Sequence, residues 1–393
     1  MTDILHPRSD FYMLESTLTP QQQDRLRQVR AFMRERVQPI INEFWTREEF
    51  PHALIPDMAE LEIAGNPYQG YGCPGESWLF DGFLTQELAR IDCSIATFFG
   101  VHSGLAMGSI YLCGSDEQKD RWLPKMRKME LIGAFGLTEP DHGSDVSKGL
   151  ETTAKRDGDS WILNGMKKWI GNATFADVTV IWARDVDDGQ VKGFLVERGT
   201  PGFEPRKMTG KMALRVVQNA EISLQDCRVP ESNRLQRAKS FADTAKVLRM
   251  TRAGVAWQAV GNMAGAYELT LDYTKNRKQF NRPIAGFQLV QDRLALMLAN
   301  ITSSQTLVYR LSQMQDAGQF NEEHASLAKM VCTVKMRETV GLARELLGGN
   351  GILLDHHVGR FVADAEAIYS YEGTREVNAL IVGRAVTGLG AFV

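Results

Sequence analysis

Residues 160–184, SWILNGMKKWIGNATFADVTVIWAR, mark the point where the sequence changes from a helical to an extended pattern. The runs SWILNG and DVTVIWAR are short, rich in β-branched and aromatic residues, and separated by turn-forming Gly, Asn and Asp. Two similar runs, KGFLVER and AEISLQ, follow after Asp-Asp-Gly and Pro-Gly turn signals. These patterns together predict a β domain over residues 131–237.

The segment before the β domain has helical periodicity. Thr19 is the predicted N-cap of a helix, with Pro20 at its first position and Gln22 completing a capping box. Apolar residues then recur at helical spacing as far as Phe44, and Pro39 predicts a kink within this run. An N-terminal helical domain is therefore expected.

Helical periodicity returns after the β domain. Two long amphipathic helices are predicted, from about residue 288 to 317 and from about residue 321 to 347, and a glycine follows each of them. The expected fold is mainly α-helical with a central β domain. Its parts are an N-terminal α-helical domain at 1–130, the β domain at 131–237 and a C-terminal α-helical domain at 238–393.

The composition favours a globular protein that acts on a small molecule. The chain has 393 residues, a formal net charge of −3 and an isoelectric point near 6.2, so it offers no basic surface for nucleic acid or anionic lipid. The seven histidines and five cysteines show no metal-ligand spacing, and an odd cysteine count suits reduced thiols. No continuous apolar run reaches membrane-spanning length, and neither MTDILHPRSD nor GLGAFV is typical of a targeting signal. A cytoplasmic protein without metal or membrane is expected.

Two segments could bind a polar or planar group. The stretch GLTEPDHGSDVSKG, residues 136–149, predicts a loop in which Thr138, Ser144 and backbone N–H groups could cradle a phosphate or a ring edge. The simpler interpretation is a connection between domains, since such residues mark turns in general. Trp169 and Ile170, beside Gly171, could form a wall against a planar cofactor, although a Trp in a strand is usually a core residue.

One carboxylate near the C-terminus has no evident structural role. In IYSYEGTREVNALIVG, residues 368–383, Thr374 is a good N-cap for the following helix, and Glu376 favours the helix dipole from its first turn. Glu372 has no place in that scheme. It could be a solvated loop acid, but in a closed pocket between Tyr371 and Gly373 desolvation would raise its pKa and suit it to act as a general base.

Other cofactor and catalytic motifs are missing. The sequence has no P-loop, no GxGxxG fingerprint, no HExxH and no GxSxG, which disfavours the corresponding nucleotide sites, zinc hydrolases and serine hydrolases. Taken together and in this order, however, LTEPDHGSD, KKWIGN, RKQF, ELLGGNG and YEGT resemble the acyl-CoA dehydrogenase and acyl-CoA oxidase family over nearly the whole chain. The resemblance implies a middle β-barrel-like domain, a C-terminal four-helix bundle, one FAD per subunit, and a homotetramer or dimer of dimers.

The resemblance also implies which positions form the site. Residues implied to meet the flavin are Phe135, Leu137, Thr138, Gly143, Ser144, Trp169, Ile170, Gly171, Thr374 and Glu376. Residues implied to hold the adenine dinucleotide half across a subunit interface are Arg277, Gln279, Phe280, Gln288, Leu346 and Gly349. Residues implied to meet the substrate are Ser144, Arg252, Tyr371 and Gly373.

Glu372 matches the catalytic base of the family. This base removes a proton from the α-carbon of an acyl-CoA thioester while the β-hydrogen leaves as hydride to flavin N5. The Glu372 N–H and a ribityl hydroxyl are implied to bind the thioester oxygen, because the enolate needs positioned donors. Some relatives carry the base on an earlier helix, where this chain has Thr251, which cannot act as a base.

Two departures bear on the branch of the family. The nearest patterns are those of glutaryl-CoA dehydrogenases and plant short-chain acyl-CoA oxidases. The arginine that would bind a distal carboxylate is replaced by Ala96, so a short or medium uncharged acyl chain is expected. Gly171 replaces a threonine and could open space near N5 for dioxygen, as an oxidase needs. A dehydrogenase that passes electrons to an electron-transfer flavoprotein is preferred; an oxidase and a non-catalytic acyl-CoA-binding scaffold remain alternatives.

Overall fold

The structure is a computed structural model that describes residues 7–391. The expectation about targeting signals rests partly on residues 1–6 and 392–393, which lie outside the described residues. The mainly α-helical fold with a central β domain is confirmed.

The N-terminal part is helical, as predicted. The Thr19 hydroxyl accepts a hydrogen bond from the Gln22 N–H at 3.3 Å, and the Gln22 side chain accepts one from the Thr19 N–H at 3.1 Å, which confirms the capping box. Pro39 lies in a turn at residues 38–40, and the dihedral angles of Gln38 and Ile40 on either side of it remain in the right-handed helical region. The helical run is thus interrupted at the position where the sequence predicts a kink. The helices are α1 Pro20–Phe32, α2 Ile41–Arg47, α3 Leu54–Glu60, α4 Trp78–Ile91, α5 Cys93–Phe99, α6 Met107–Cys113 and α7 Asp116–Arg127, with π-helical turns at Met33–Val37 and Gly100–Ala106 and a short hairpin of β1 Gln69–Gly70 and β2 Cys73–Pro74.

The central part of the chain forms a seven-stranded sheet. Its elements are β3 Gly133–Gly136, α8 Val146–Gly149, β4 Thr153–Asp157, β5 Ser160–Ile170, β6 Val178–Asp185, β7 Val191–Glu197, β8 Phe203–Lys207 and β9 Ala220–Pro230. The quoted run SWILNG begins β5, and DVTVIWAR forms most of β6. The order of the strands is β3-β6-β4-β5-β9-β8, and β7 pairs with β6. Strand β3 lies at one end of this order, runs parallel to β6 and packs against the π-helical turn Gly100–Ala106.

The C-terminal part contains the predicted bundle, with its fourth helix broken in two. Gly318 and Gly348 follow the two long helices with φ of +67° and +58°, the left-handed conformation that lets glycine end a helix. The break at residues 371–374 falls on the segment that carries Glu372. The elements are α9 Phe241–Asn276, β10 Lys278–Gln279, β11 Arg282–Pro283, α10 Gln288–Asp316, α11 Glu322–Leu346, α12 Val358–Ser370 and α13 Arg375–Thr387.

Helix α9 packs unusually closely along α4. A Cβ atom on Gly82 would lie 2.2 Å from Trp257 Nε1, and one on Gly261 would lie 2.4 Å from the Gln86 carbonyl oxygen. Gly82 contacts Trp257 and Gln86 contacts Gly261, so residue numbers increase in the same direction along both helices, and the helices are parallel. Trp257 Nε1 also donates to Ser312 on α10 at 2.9 Å. This packing fixes which face of α9 is turned toward the site.

The helical stretch Cys93–Cys113 is long and apolar enough to cross a membrane by length and composition alone. It is interrupted by Ser, Thr and His residues, so it was not expected from a search for continuous apolar runs. In the fold, 61% of its apolar 18-residue window is buried inside the protein. Phe98, for example, packs on Phe50 with ring centroids 4.5 Å apart. Such burial is typical of a core helix in a globular domain.

Candidate active site

A cavity of about 1430 Å³ lies between the edge of the sheet and helices α5, α9 and α12. A cavity of this size with convergent polar groups is the first place to look for a binding site. Its lining contains most of the residues that the sequence singled out, namely Phe135, Leu137, Thr138, Gly143, Ser144, Trp169, Ile170, Gly171, Arg252, Tyr371, Glu372, Gly373 and Thr374.

Glu372 lies in the break between α12 and α13 and lines this cavity. Its φ is +54°, a left-handed conformation that costs free energy for a residue other than glycine and that is often found at functional sites. Thr374 ends the break by accepting a hydrogen bond from the Val377 N–H at 3.2 Å, which confirms it as the N-cap of α13. The sequence therefore fixes where the helix restarts, and Glu372 is left outside it.

Only one of the two oxygens of the Glu372 carboxylate has a hydrogen-bond partner in the described part of the chain. Its Oε1 accepts a hydrogen bond from the Thr251 hydroxyl at 3.0 Å, whereas its buried Oε2 has no partner among residues 7–391. Burial raises its pKa above the ordinary value of 4.5, while the charge of Arg252, the Thr251 hydrogen bond and the charge of Lys329 act in the opposite direction. The raised pKa agrees with the sequence-based expectation. An unpaired carboxylate oxygen with a raised pKa is suited to accept a proton.

Three side chains hold the backbone around Glu372. Lys329, which is fully buried on α11, donates to the carbonyl oxygens of Tyr369 at 2.8 Å and Gly373 at 2.7 Å. Arg252 Nε donates to the Glu372 carbonyl at 3.3 Å, and Asn378 Nδ2 donates to the Gly373 carbonyl at 2.8 Å.

The carbonyls of this segment are therefore turned toward cations and amides on α9, α11 and α13. The Glu372 N–H, by contrast, finds no acceptor among the described residues. It is a free backbone donor beside the carboxylate, as an oxyanion site needs. The family resemblance implied that Arg252 meets the substrate, whereas the sequence analysis gave no role to Lys329 or Asn378.

Trp169 is a wall residue and not a core residue. Its side chain remains 54% exposed, its φ is +66°, and its carbonyl oxygen accepts a hydrogen bond from Asn219 Nδ2 at 3.1 Å. The hydroxyls of Thr138 and Ser144, which line the same cavity, make no hydrogen bond within the described part of the chain. An open indole face beside free hydroxyls suits a flat aromatic group with polar edges.

A buried ion pair pins the loop that carries Thr138. Lys167 on β5 donates to the Leu137 carbonyl at 3.1 Å and to Glu139 Oε1 at 2.8 Å. Burial lowers the Lys167 pKa to about 8, although Glu139 opposes this. Glu139 also accepts from the Thr152 N–H at 2.9 Å. The sequence analysis missed this pair, although a Glu inside a predicted loop and a Lys inside a predicted strand were visible signals.

Gly171 lies on the lining of the cavity and has two valines close by. A Cβ atom on Gly171 would lie 3.3 Å from Val101 Cγ2 and 3.6 Å from Val217 Cγ1. A side chain at this position would therefore contact both valines. The hypothesis that Gly171 opens space for dioxygen stays a prediction.

Seven of the residues implied to bind FAD do not line the cavity of the single chain. They are the six implied to hold the adenine dinucleotide half of FAD and Glu376. Phe280 is 87% exposed, and its neighbours on the hairpin after α9 are exposed as well. The chain alone does not bring these side chains to the cavity, so their assignment stays a prediction. The residues are Arg277, Gln279, Phe280, Gln288, Leu346, Gly349 and, at the start of α13, Glu376.

Three family models match the chain in sequence. They are the N-terminal, middle and C-terminal domains of acyl-CoA dehydrogenase, which match residues 19–130, 134–227 and 241–387. The boundaries predicted from the sequence stay predictions.

Known proteins resemble the chain over almost its full length. The mitochondrial short-chain specific acyl-CoA dehydrogenase of Mus musculus is 31% identical over 94% of this chain and 90% of its own length. The crystal structure of glutaryl-CoA dehydrogenase from Mycobacterium smegmatis superposes with a TM-score of 0.94 and 39% identity, covering 98% of this chain and 99% of that one.

A chain from a structure described as the electron transferring flavoprotein of Acidaminococcus fermentans has a TM-score of 0.90 and 32% identity, covering 94% of this chain and 98% of that one. These likenesses span all three parts of the fold, including the segment that carries Glu372. The chain belongs to the acyl-CoA dehydrogenase family, whose members are FAD-dependent oxidoreductases that act on CH–CH bonds.

Proposed function

We propose that this protein oxidises a short- or medium-chain acyl-CoA to the trans-2-enoyl-CoA, with Glu372 as the base that takes the α-proton. The observation that carries the proposal is the Glu372 carboxylate, which lines the cavity and whose buried Oε2 has no hydrogen-bond partner among the residues that the structure describes. A buried carboxyl group with a raised pKa that lines a cavity is a candidate catalytic group on physical grounds.

The lining of the cavity fits FAD. The exposed indole of Trp169 offers a face for the ring system, and the free hydroxyls of Thr138 and Ser144 offer hydrogen bonds to its edge. When bound, FAD supplies the acceptor for the hydride that leaves the β-carbon. Lys167 stabilises the loop that carries Thr138, because its ammonium group donates to the Leu137 carbonyl and to Glu139 on either side of Thr138.

The chain must also make the α-proton removable. A thioester α-proton is too weakly acidic for a carboxylate alone, so the developing negative charge on the thioester oxygen has to be stabilised. The free Glu372 N–H is the protein donor for this oxygen. Arg252 and Lys329 fix the neighbouring carbonyls, and the Glu372 N–H has no competing acceptor in the described part of the chain.

The acyl chain is proposed to be uncharged. Ala96 lines the cavity with Thr97 and Phe99, and none of the three could pair with a distal carboxylate. Burying an unpaired carboxylate there would cost several kcal/mol. The similarity to a short-chain specific dehydrogenase supports this choice, although the glutaryl-CoA dehydrogenase is also similar.

Butyryl-CoA is therefore expected to reduce the bound FAD at least about 100-fold more efficiently than glutaryl-CoA, since several kcal/mol of discrimination correspond to such a ratio. The measurement is anaerobic stopped-flow reduction with each thioester, followed by identification of crotonyl-CoA as the product. Equal efficiencies for the two substrates would contradict the proposed acyl site. An Ala96→Arg variant provides a matched test. Its arginine could pair with the distal carboxylate of glutaryl-CoA, so the ratio of the butyryl-CoA efficiency to the glutaryl-CoA efficiency should fall.

Electrons are proposed to leave through an electron-transfer flavoprotein and not through dioxygen. The likeness to a chain from a structure described as the electron transferring flavoprotein of Acidaminococcus fermentans supports this. The enzyme is also proposed to work as a cytoplasmic homotetramer, in which the exposed hairpin around Phe280 reaches the cofactor of a neighbouring subunit.

Slow reoxidation in air is the expected behaviour of a dehydrogenase. We expect the photoreduced enzyme to need minutes or longer to reoxidise after mixing with air-saturated buffer. Reoxidation within seconds, with one peroxide formed per flavin, would identify an oxidase instead. Absorbance and a peroxide assay on the same sample distinguish the two outcomes.

A further inference from the structure

The cavity extends beyond the region of Glu372 to a wall formed by α4 and α10. The lining residues of this wall are Trp78, Asp81, Gly82, Thr85, Ser312 and Gln315. The four residues on α4 recur at helical spacing, so one face of that helix is turned toward the cavity. The two helices meet at this wall, because Asp316 accepts hydrogen bonds from the Trp78 N–H at 2.6 Å and from the Leu79 N–H at 3.3 Å.

Asp81 places a carboxyl group without a partner on this wall. Its side chain makes no hydrogen bond and no ion pair with the residues that the structure describes. Two donors close to it are already used. The Tyr68 hydroxyl donates to backbone carbonyl oxygens at 2.9 and 3.2 Å, and Trp257 Nε1, which lies against Gly82, donates to Ser312.

The surroundings of Asp81 make its charged form unfavourable. Burial raises the pKa of the Asp81 carboxyl to about 7, and the charge of Asp316 acts in the same direction. A carboxyl group that is buried without a partner costs folding free energy. The contacts within the chain therefore give no structural reason for an acid at this position.

Thr85 and Gln315 add free polar groups beside Asp81. Thr85 follows Asp81 by one turn on α4, and Gln315 precedes Asp316, which contacts the start of α4. Neither side chain makes a hydrogen bond within residues 7–391. Hydroxyl and amide groups both donate and accept hydrogen bonds, whereas an ionised carboxylate only accepts them. The three side chains together suit a ligand group that both donates and accepts.

The wall lies at a distance that an acyl group reacting at Glu372 can cover. Thr251 is bonded to the Glu372 carboxylate, and the cavity lining continues along α9 from Thr251 to Trp257. These two residues are separated by six positions, which corresponds to about 9 Å along the helix axis. Trp257 packs against Gly82, the residue next to Asp81. A medium-length acyl chain spans a distance of this order.

We propose that Asp81, Thr85 and Gln315 form a subsite for a hydroxyl group at the distal end of a medium-length acyl chain. The inference rests on the proposed function, because it assumes that the acyl group reacts at Glu372 and extends along α9. The hydroxyl group donates to Asp81 and accepts a hydrogen bond from Thr85 or Gln315. The carboxyl group thereby gains the partner that the fold does not supply, and the acyl chain stays uncharged.

The test compares 6-hydroxyhexanoyl-CoA with hexanoyl-CoA, and 8-hydroxyoctanoyl-CoA with octanoyl-CoA, as reductants of the FAD-loaded enzyme. Anaerobic stopped-flow measures the efficiency of flavin reduction, and calorimetry measures the binding of the corresponding trans-2-enoyl-CoA thioesters. For at least one of the two lengths we expect the hydroxylated substrate to be used about 10–100-fold more efficiently, as for a hydrogen bond to a charged group. The enoyl thioesters should show the same preference in binding.

Asp81→Leu should remove this preference. The ratio of the hydroxylated to the unsubstituted substrate should fall at least about tenfold, because a hydroxyl group that is buried without a partner is unfavourable. The melting temperature should not fall, since the change removes an unpaired carboxyl group from the fold. Asp81→Asn keeps an acceptor oxygen and should retain part of the preference.

Glu76→Leu is the matched control. Glu76 is also a carboxylate near the start of α4, but it accepts a hydrogen bond from Gln22 Nε2 at 2.8 Å and does not line the cavity. Its replacement should leave the ratio of hydroxylated to unsubstituted substrate as in the wild type.

Three results would overturn the inference. They are a wild-type enzyme that uses hexanoyl-CoA and octanoyl-CoA better than their hydroxylated analogues, a preference that Asp81→Leu leaves unchanged, and reduction by butyryl-CoA but by none of the longer thioesters. Failure of every thioester, including butyryl-CoA, to reduce the bound FAD would instead refute the proposed function. The two kinds of failure can therefore be told apart.

Discussion

Replacing Glu372 with glutamine is expected to slow reduction of the bound FAD by butyryl-CoA by about 10²–10⁴-fold, the usual contribution of a positioned general base. The amide keeps the size of the side chain and can still accept the hydrogen bond from Thr251, but it cannot take the α-proton. Cofactor and thioester should bind as in the wild type. Stopped-flow reduction under anaerobic conditions measures the loss, and the flavin spectrum reports cofactor content.

The pH dependence follows from the raised pKa of Glu372. Only the carboxylate form can accept a proton, so the wild-type rate should fall as the pH drops through a pKa above 4.5. This fall in rate at low pH is the acid limb of the pH–rate profile, and the glutamine variant should lose it. Glu366→Gln is the matched control, since Glu366 also lines the cavity but pairs with Arg337 at 2.9 Å, and it should keep both the rate and the limb. An acid limb that persists in the Glu372 variant would point to another base.

Replacing Lys329 with methionine is expected to slow flavin reduction by about 10–100-fold, although Lys329 does not itself line the cavity. The change removes both hydrogen bonds to the carbonyls of Tyr369 and Gly373, and each buried unsatisfied carbonyl costs about 1–3 kcal/mol. The left-handed conformation of Glu372 depends on this support, so the carboxylate and the N–H should lose their alignment. Lys329 is therefore a positioning residue.

A shift of the acid limb separates this role from a general loss of stability. The positive charge of Lys329 lowers the Glu372 pKa, so removing it should move the acid limb of the rate to higher pH. Lys335→Met, on the same helix but bonded to Ser303, should leave the limb in place. A Lys329→Met enzyme with the wild-type rate and acid limb would show that the two hydrogen bonds do not position the base.

Local sequence signals predicted the elements of this fold well. The capping box at Thr19, the helix ends at Gly318 and Gly348, and the N-cap at Thr374 each depend on residues a few positions apart, and all are confirmed. Pro39 likewise coincides with an interruption of the first helical run, because proline removes a helical hydrogen bond.

The site was predicted where a motif marks it and missed where distant parts of the chain meet. The hydrogen bond from Tyr371 to Gln258 and the one from Gln258 to Thr97 each join residues more than a hundred positions apart. Lys329 gave a usable signal, since it falls on the apolar face of α11 between Ala325 and Cys332, where a lysine is rare unless it is bonded. Glu372 was found because it has no place in the capping scheme of the helix that follows it. Trp169 was singled out by its place beside Gly171 and by the family motif KKWIGN.

Exchange of the α-protons of butyryl-CoA in D₂O tests the central claim most directly. Substrate is supplied in excess over FAD-loaded enzyme, and oxygen is removed. Reversal of the reaction then returns a deuteron from the solvent to the α-carbon, and NMR detects the deuterium at that position. The wild-type enzyme is predicted to exchange these protons, and the Glu372→Gln variant to show no exchange above that of enzyme-free buffer. Exchange at the wild-type rate in a variant that still binds FAD would show that Glu372 is not the base.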